Sequence, residues 1–257
     1  MQLNNKHILV AGGTSGIGLA AARYCAEKGA KVMAVGKPNP ELQSVEGRLE
    51  FEFLDLTEES NCSAAIETCV DRLGDLDGLF HVAGGSGRSF GDGPLHSLTL
   101  DAWRATFQLN LETMMMTNRA AIRFFLNQHK GGSIVNLSSV LAAHPSPAFF
   151  STHAYAAAKA AAIGLSTAAA AHYAQHNIRV NVIAPGLVET PMSARASSDP
   201  AIQSFITTKQ PLDGGRIGRP EDISAMAALL LSNEASFITG QTIHIDGGWS
   251  VSEGQHA

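Results

Sequence analysis

The sequence predicts an α/β fold, a single Rossmann-like doubly wound parallel sheet of about seven strands with helices on both faces. Short apolar runs alternate along the chain with longer segments whose apolar residues recur at helical spacing. The first apolar run ends directly in a cluster of glycines. The 257 residues are 45% hydrophobic and 16% charged, so there is enough apolar material to cover a sheet on both sides. We expect one domain over residues 1–257.

The elements follow from these patterns in order. The predicted strands are residues 7–11, 31–35, 49–54, 79–83, 133–137, 178–184 and 242–245. The predicted helices are residues 16–28, a segment from about Thr57, which is a good N-cap, and residues 99–127, 154–176, 199–208 and 220–232. Residues 36–47 are predicted to form a loop in place of a helix. Strands separated by helices imply parallel pairing with right-handed crossovers, and such sheets bind ligands at the carboxyl ends of their strands.

Composition excludes several classes of function. The net charge of −5 and the lack of any basic run argue against binding to nucleic acid or to an anionic membrane surface. No apolar run reaches membrane-spanning length. The three cysteines lack paired spacing, and residues 1–6 are polar without a signal-peptide pattern, so we expect reduced thiols and a cytoplasmic protein.

The glycine cluster after the first strand has the features of a phosphate-binding turn. Gly12 suits a tight turn, Gly16 allows the backbone to approach a pyrophosphate, and Gly18 allows close packing of the helix. The N-terminus of that helix would then present N–H groups and a positive dipole end to the phosphates. The alternative is an ordinary glycine-rich turn, but the position between the first strand and a helix favours a dinucleotide site.

A tyrosine and a lysine lie four residues apart in an otherwise small, apolar helix. Tyr155 and Lys159 therefore share one helix face, where an ammonium is expected to lower the pKa of the phenol and make it able to exchange a proton with an alcohol or carbonyl oxygen. The preceding strand ends in two serines facing the same crevice. We expect Ser139 to orient a substrate oxygen, whereas Ser138 is interpreted as a structural residue at the strand end.

Together these motifs resemble the short-chain dehydrogenase/reductase family in its compact form of about 250 residues, and the resemblance covers nearly the whole chain. The motifs that carry it are Gly12-x-x-x-Gly16-x-Gly18, Asp55, Ala83-Gly84, Asn110, Ser139, Tyr155-x-x-x-Lys159, Asn181-Val182-Ile183-Ala184-Pro185-Gly186, Thr190, Gly240 and Asp246-Gly247-Gly248. Several motifs in the right order are far more specific than any one of them.

The resemblance implies an oxidoreductase that transfers a hydride between NADP(H) or NAD(H) and a carbonyl or alcohol. Tyr155 would donate or accept the proton, and Ser139 would hold the substrate oxygen. Lys159 would bind the nicotinamide ribose and tune Tyr155, while Asn110 would hold a water that links Lys159 to solvent. No metal is expected, because His172 and His176, although four apart, have no further ligand motif beside them.

The resemblance also implies which residues line the cofactor site. Asp55 would meet the adenine ring and Thr190 the nicotinamide carboxamide. The expected cofactor-binding residues are Gly12, Thr14, Ser15, Gly16, Ile17, Gly18, Gly36, Lys37, Asp55, Leu56, Ala83, Gly84, Tyr155, Lys159, Pro185, Gly186, Val188 and Thr190.

The end of the second strand predicts which cofactor is preferred. Enzymes that use NAD(H) commonly place an acid there, where it accepts hydrogen bonds from the ribose hydroxyls. This chain has Gly36 followed by Lys37, a cation that can pair with a 2′-phosphate. We therefore favour NADP(H) over NAD(H). The alternative is that Lys37 is only a solvated loop residue and that Gly36 serves a turn.

The chain departs from the family pattern near the substrate. His81-Val82-Ala83-Gly84 replaces the usual Asn-Asn-Ala-Gly, and the connection between Ser139 and Tyr155 is a few residues longer than expected. We expect residues 140–154 and 188–209 to form the substrate walls. Phe149, Phe150 and Met192 in those segments predict a substrate with a hydrophobic part.

The sequence also bears on two alternative functions. A catalytically silent dinucleotide-binding sensor or scaffold is opposed by the complete set of Asn110, Ser139, Tyr155 and Lys159. A sugar-nucleotide epimerase or dehydratase is opposed because those larger relatives usually carry an extended C-terminal domain. In the family, subunits usually associate through the helices that correspond to residues 99–127 and 154–176 here. The resemblance therefore implies a homo-oligomer, a tetramer or a dimer.

Overall fold

The computed structural model describes residues 2–40, 42 and 47–254, and it confirms the predicted fold class. Seven parallel strands form one sheet in the order β3-β2-β1-β4-β5-β6-β7. The strands are β1 (His7–Ala11), β2 (Lys31–Gly36), β3 (Leu49–Phe53), β4 (Gly78–His81), β5 (Gly132–Leu137), β6 (Ile178–Pro185) and β7 (Thr242–Ile245). The order reverses beside β1, so the crevice between β1 and β4 is the switch point at which such sheets bind ligands.

Helices cover both faces of this sheet. They are α1 (Gly16–Glu27), α2 (Glu59–Leu73), α3 (Leu100–Phe107), α4 (Thr113–Asn127), α5 (His153–Tyr173), α6 (Ala194–Ser198), α7 (Pro200–Lys209) and α8 (Pro220–Leu231). The first and last of them pack together on one face, and α2, α4 and α5 contribute to the core on the other. None of the helices in the described residues combines the length and the apolar character that crossing a bilayer would require.

Strand β1 shows why these apolar runs form a central sheet. Ile8 and Val10 point into the core on the α1 side, whereas Leu9 and Ala11 point into the core on the opposite side. A strand with both faces buried needs apolar residues at every position, because neighbouring side chains alternate between the faces. A third apolar cluster, built around Trp249 with residues of α6 and α7, lies apart from these two cores.

Two of the predicted element ends that differ from the structure do so for identifiable local reasons. Strand β4 ends at His81 rather than at residue 83, because the N–H groups of Val82 and Ala83 both turn to the Ala11 carbonyl, at 2.7 and 3.0 Å. Helix α2 begins at Glu59, with Glu58 in the N-cap position. Thr57 is therefore not the N-cap that we expected, since its hydroxyl donates to the Asp55 carboxylate instead.

The long helix predicted over residues 99–127 runs without a break over residues 100–127, but it contains one π-helical turn that the prediction did not include. Thr99 caps its start as a good N-cap residue should, with the side chain accepting from the N–H of Ala102. A π-helical turn over Gln108–Glu112 then separates α3 from α4. Such a turn inserts one extra residue into the helix, and helical periodicity alone does not reveal it.

The connection between β2 and β3 contains no helix in its described part, residues 37–40, 42 and 47–48. Residues 41 and 43–46 of the predicted loop lie outside the described residues. The connection is tied back to the glycine turn, because Asn39 Nδ2 donates to the carbonyl of Thr14 at 2.9 Å.

His81, which departs from the family pattern, is completely buried at the end of β4. Its Nδ1 atom lies 2.7 Å from the Thr117 hydroxyl, while Nε2 has no hydrogen-bond partner among the described residues. Burial, reinforced by the nearby Lys159 charge, lowers the pKa of His81 to about 3. The folded protein therefore keeps the ring neutral under conditions in which an unfolded chain would take up a proton.

This predicts a specific loss of stability in mild acid. The unfolded chain binds a proton at His81 below about pH 6.5, so stability falls as the pH decreases from there toward the folded pKa of about 3. When the pH is lowered from about 7.5 to about 5.5, protonation of His81 in the unfolded chain should decrease the unfolding free energy by about 1.4 kcal/mol. The His81→Asn variant should not show this part of the decrease. Urea unfolding of both proteins at the two pH values measures the difference. The exposed His176→Asn provides the control, and an identical pH dependence in His81→Asn would contradict this account.

Candidate active site

A cavity of about 630 Å³ opens where the central strands end. Its wall includes every residue proposed from the sequence as catalytic or cofactor-binding except Gly18 and Asn110. The proposed residues in its wall are Gly12, Thr14, Ser15, Gly16, Ile17, Gly36, Lys37, Asp55, Leu56, Ala83, Gly84, Ser139, Tyr155, Lys159, Pro185, Gly186, Val188 and Thr190. Residues spread over most of the chain thus meet at one place, as the sheet topology requires.

The glycine turn forms one wall of the cavity. Gly12 adopts a φ of +83°, and its N–H donates to the Val35 carbonyl at 2.7 Å. A Cβ atom on Gly18 would collide with the Gly12 carbonyl oxygen, so this glycine lets the helix fold onto its own loop rather than onto the sheet. The side chain of Ser15, the N-cap of α1, makes no capping hydrogen bond. Within the part of the chain that the structure describes, no side chain caps the N–H groups of the first turn, so they can bind an anionic group, and the turn fits the pyrophosphate of a dinucleotide.

The opposite end of this wall contains a pair of opposite charges. Asp55 accepts from the backbone N–H and the hydroxyl of Thr57, at 3.0 and 2.8 Å, and these bonds together with the Lys37 charge lower the pKa of Asp55. A Cβ atom on Gly36 would lie 2.6 Å from the hydroxyl oxygen of Thr14. Gly36 thus has a steric reason to be glycine, and Lys37 is the exposed cation that follows it.

Lys159 is the most enclosed charged group of the site, only 3% exposed. Its Nζ atom donates to the Leu137 carbonyl at 2.9 Å and lies 5.7 Å from the centre of the Tyr155 ring. Burial lowers the pKa of Lys159 to about 8. Burial also raises the pKa of Tyr155, which a hydrogen bond with Ser139 only partly offsets. We expected Lys159 to lower the pKa of Tyr155, and that direction is wrong here, because burial of the phenol raises it.

The two serines after β5 have different partners. Ser138 is buried, and its hydroxyl donates to the backbone carbonyl of Lys159 at 2.8 Å, which fits its interpretation as a structural residue. Ser139 lines the cavity, and its hydroxyl accepts from the N–H of Leu141 at 3.2 Å. Ser139 and Tyr155 are thus the two hydroxyl groups placed together beside the buried lysine.

Asn110 lies behind the cavity wall, inside the π-helical turn. Its Nδ2 atom donates to the carbonyls of Gly85 and Thr106, each at 2.9 Å, and its Oδ1 atom accepts from the Gly85 N–H at 3.1 Å. A Cβ atom on Gly84 would lie 2.6 Å from Oδ1 of Asn110 and 3.4 Å from Nζ of Lys159. The extra residue of the π turn thus directs Asn110 toward the loop that separates it from the lysine.

Sequence reasoning missed the residue that holds the start of α5. The Asp92 carboxylate is 5% exposed and accepts from the N–H groups of Ala154 and Tyr155, at 2.9 and 2.8 Å. The neighbouring Gly93 carbonyl accepts from the N–H of His153 at 3.3 Å. The loop around Asp92 therefore satisfies three N–H groups at the beginning of the helix that carries Tyr155. The acid between two glycines, Gly91 and Gly93, was the only local signal.

The predicted substrate walls are partly correct. Both segments, 140–154 and 188–209, line the cavity, and they include Phe150 and Met192. Phe149 does not line it, because its ring packs against Phe205 with the ring centres 5.0 Å apart. Trp249, which we did not single out, does line the cavity, and its indole N–H donates to the His144 carbonyl at 3.0 Å.

Metal-ligating side chains come together at one place among the described residues, away from this cavity. His7, Asp75 and Asp77 have ligand atoms within 4.8 Å of one another. The Lys130 ammonium already binds both carboxylates, at 2.6 and 3.3 Å, which makes the group a salt-bridge cluster.

Comparison with known proteins places the chain among dehydrogenases and reductases. A family model described as enoyl-(acyl carrier protein) reductase matches residues 11–250. The 2-keto-3-deoxy-L-fuconate dehydrogenase of Xanthomonas campestris pv. campestris is 35% identical, over 97% of this chain and 81% of that protein. The 3-oxoacyl-[acyl-carrier-protein] reductase of Thermotoga maritima is 33% identical, over 96% and 99%. The solved structure of a short-chain type dehydrogenase/reductase from Mycobacterium ulcerans has a TM-score of 0.87 at 34% identity, covering 98% of this chain and 92% of that one.

The two hydrogen bonds that Asp92 accepts from the N–H groups of Ala154 and Tyr155 predict a measurable contribution to stability. Asp92→Asn keeps the shape of the side chain but turns an N–H donor toward one of the two helix N–H groups. We expect the unfolding free energy to fall by about 2 kcal/mol, because a buried charged acceptor is lost. Amide hydrogen exchange at residues 153–155 should also become faster. Asp101→Asn, at an exposed acid in the first turn of α3, is the matched control. An unchanged unfolding free energy and unchanged amide exchange in Asp92→Asn would contradict the role proposed for these two hydrogen bonds.

Proposed function

The chain belongs to the short-chain dehydrogenase/reductase family, and we propose that it transfers a hydride between a nicotinamide cofactor and the carbon of a carbonyl or alcohol substrate. Its relatives are named dehydrogenases and reductases, and the chain is an oxidoreductase. The observation that carries the finer proposal is the placement of Ser139, Tyr155 and Lys159 in the same cavity as the free N-terminus of α1.

The cavity suggests how a cofactor would be held. The N–H groups at the start of α1 would bind the pyrophosphate, Asp55 would face the adenine end, and Thr190 would face the nicotinamide end. The other residues proposed from the sequence would complete this wall. When bound, the nicotinamide supplies or accepts the hydride.

The protein's own side chains manage the proton. In the direction of reduction, Tyr155 donates its hydroxyl proton to the substrate oxygen as the carbonyl carbon gains the hydride, and in oxidation it takes that proton back. Ser139 orients the same oxygen by a hydrogen bond. The Lys159 ammonium, enclosed and fixed by the Leu137 carbonyl, stabilises the tyrosinate that forms. Asn110 holds the loop at Gly85, and through it the wall beside Lys159.

We propose NADP(H) as the preferred cofactor, with NAD(H) as the alternative. No acid occupies position 36, and a side chain there would collide with the Thr14 hydroxyl. The ribose therefore meets no carboxylate at the end of β2. Lys37 is exposed in the cavity wall, where its charge reaches Asp55 and would also reach a 2′-phosphate.

The remaining proposals concern the whole molecule. We propose that binding and catalysis share one domain, that the protein is cytoplasmic, and that it forms a homo-oligomer, a tetramer or a dimer. The three cysteines are buried and free, which suits a reducing compartment. Exposed apolar side chains such as Leu95, Leu100 and Phe237 offer surface for contacts between subunits.

The role of Tyr155 is tested by removing its hydroxyl. Tyr155→Phe should lower kcat by about 100-fold or more while leaving cofactor affinity nearly unchanged, because the proton donor is lost and the wall is kept. Lys159→Ala should lower both kcat and cofactor affinity, since the same ammonium stabilises the tyrosinate and binds the cofactor. Tyr173→Phe, near the other end of α5, is the control. Turnover of ketones and alcohols is followed by nicotinamide absorbance. Full activity in Tyr155→Phe would overturn the mechanism, and cofactor binding without turnover in the wild type would favour a sensor.

Cofactor preference is tested at Lys37. Lys37→Ala should lower kcat/KM for NADP(H) by about 10-fold and leave kcat/KM for NAD(H) unchanged, because only the former loses a phosphate partner. Gly36→Asp is a less clean variant, since its side chain would displace Thr14. Lys28→Ala, beyond the far end of α1, removes the same charge as a control. A wild-type preference for NAD(H), or equal losses with both cofactors in Lys37→Ala, would refute this assignment.

A further inference from the structure

Two arginines lie together in the wall of the cavity that holds Tyr155. Arg88 follows the loop after β4, and Arg195 lies in α6. Each donates from one terminal nitrogen to the same acceptor, the Phe149 carbonyl oxygen, at 3.3 Å from Arg88 and 3.4 Å from Arg195. Two guanidinium groups from distant parts of the chain therefore converge on one neutral oxygen.

This arrangement leaves the two positive charges without a carboxylate of their own. Neither arginine forms an ion pair within the described part of the chain. Burial lowers the pKa of Arg88, the charge of Arg195 lowers it further, and the Asp92 carboxylate opposes both effects. Both oxygens of the Asp92 carboxylate already accept from backbone N–H groups at the start of α5.

The rest of the cavity wall offers the two arginines few negative charges. Asp55 is the one carboxylate among the described residues that line it, and Asp55 sits with Lys37 in the wall that we assign to the adenine end. The wall near the two arginines has an apolar character, with Phe150, Met192 and Trp249. Like-charged groups held near each other beside apolar side chains are stabilised by an anion that both can bind. Although the net charge of the chain is −5, the substrate side of the cavity thus carries the two positive charges of Arg88 and Arg195.

We propose that Arg88 and Arg195 form a binding site for an anionic oxygen group, a carboxylate or a phosphate, carried by the substrate whose carbonyl or alcohol reacts at Tyr155. The proposal rests on the proposed oxidoreductase function and specifies its substrate class. The apolar side chains would contact the carbon skeleton between the two ends of the substrate. The shared bond to Phe149 orients both guanidinium groups and leaves most of their N–H donors for the anion.

The experiment compares matched pairs of probes with the reduced cofactor. The probes are acetoacetate and levulinate, each with its methyl ester, and dihydroxyacetone phosphate with dihydroxyacetone. The proteins are the wild type, Arg88→Gln, Arg195→Gln and, as a control, Arg104→Gln, which removes an exposed charge from α3. Measured quantities are kcat and KM for each probe, the affinity for the cofactor alone, and calorimetric binding of each anion to the complex with oxidised cofactor.

We expect at least one anionic probe to exceed its neutral partner in kcat/KM by about 10-fold or more in the wild type. Arg88→Gln and Arg195→Gln should each remove most of that advantage through KM, without changing turnover of the neutral partner or cofactor affinity. Preference for the carboxylates or for the phosphate identifies which anion the site takes. Calorimetric binding of an anion that is lost in both variants supports the site even for a probe that is not turned over.

Several results would overturn the proposal. Equal kcat/KM for charged and neutral partners would refute the anion site while leaving hydride transfer intact. A loss of cofactor affinity in the arginine variants equal to the loss for the anions would show that the two charges serve the cofactor. Failure of every probe to react or to bind would refute the anion site. A protein that also failed to oxidise or reduce any of a broad set of neutral ketones and alcohols would refute the oxidoreductase function itself.

Discussion

The arrangement of the site depends on how the first turn of α5 is held. The N–H groups that begin a helix have no partners within it, and here the carboxylate of Asp92 and the Gly93 carbonyl satisfy three of them. One turn later the Ser138 hydroxyl and the Leu137 carbonyl bind the backbone and the ammonium of Lys159. The helix is thereby fixed to a loop at its start and to the end of β5 along its side. Tyr155 lies between these two attachments.

A buried ammonium is costly unless polar groups surround it, and the neighbouring structure reflects that requirement. The π-helical turn brings Asn110 to Gly85, whose N–H and carbonyl it satisfies, in the loop that passes beside Lys159. His81 stays neutral in the adjacent core, where a second positive charge would be unfavourable. Positive charge is instead carried at the two ends of the cavity, by Lys37 and by the pair of arginines.

Local patterns predicted most of the fold because the apolar runs and glycine turns are local signals. Strands β1 and β7 match their predicted bounds, and most other elements differ from theirs by one to three residues. The π-helical turn was missed because one inserted residue barely disturbs helical periodicity. Asp92 was missed for another reason, since its partners lie 62 and 63 positions along the chain. Phe149 was misplaced because an apolar side chain in a loop can face the cavity or a neighbouring ring equally well, and only packing against Phe205 decides.

The most direct test of the central claim follows the hydrogen itself. Reduced cofactor carrying deuterium at one of the two C4 positions of the nicotinamide would be incubated with the protein and a ketone that it consumes, and the alcohol would be analysed by mass spectrometry. Direct hydride transfer predicts that deuterium from one C4 position, and not from the other, appears on the carbinol carbon. An alcohol free of deuterium with both labelled cofactors would contradict the account, because the hydride would then not pass from the nicotinamide to the carbon beside Tyr155.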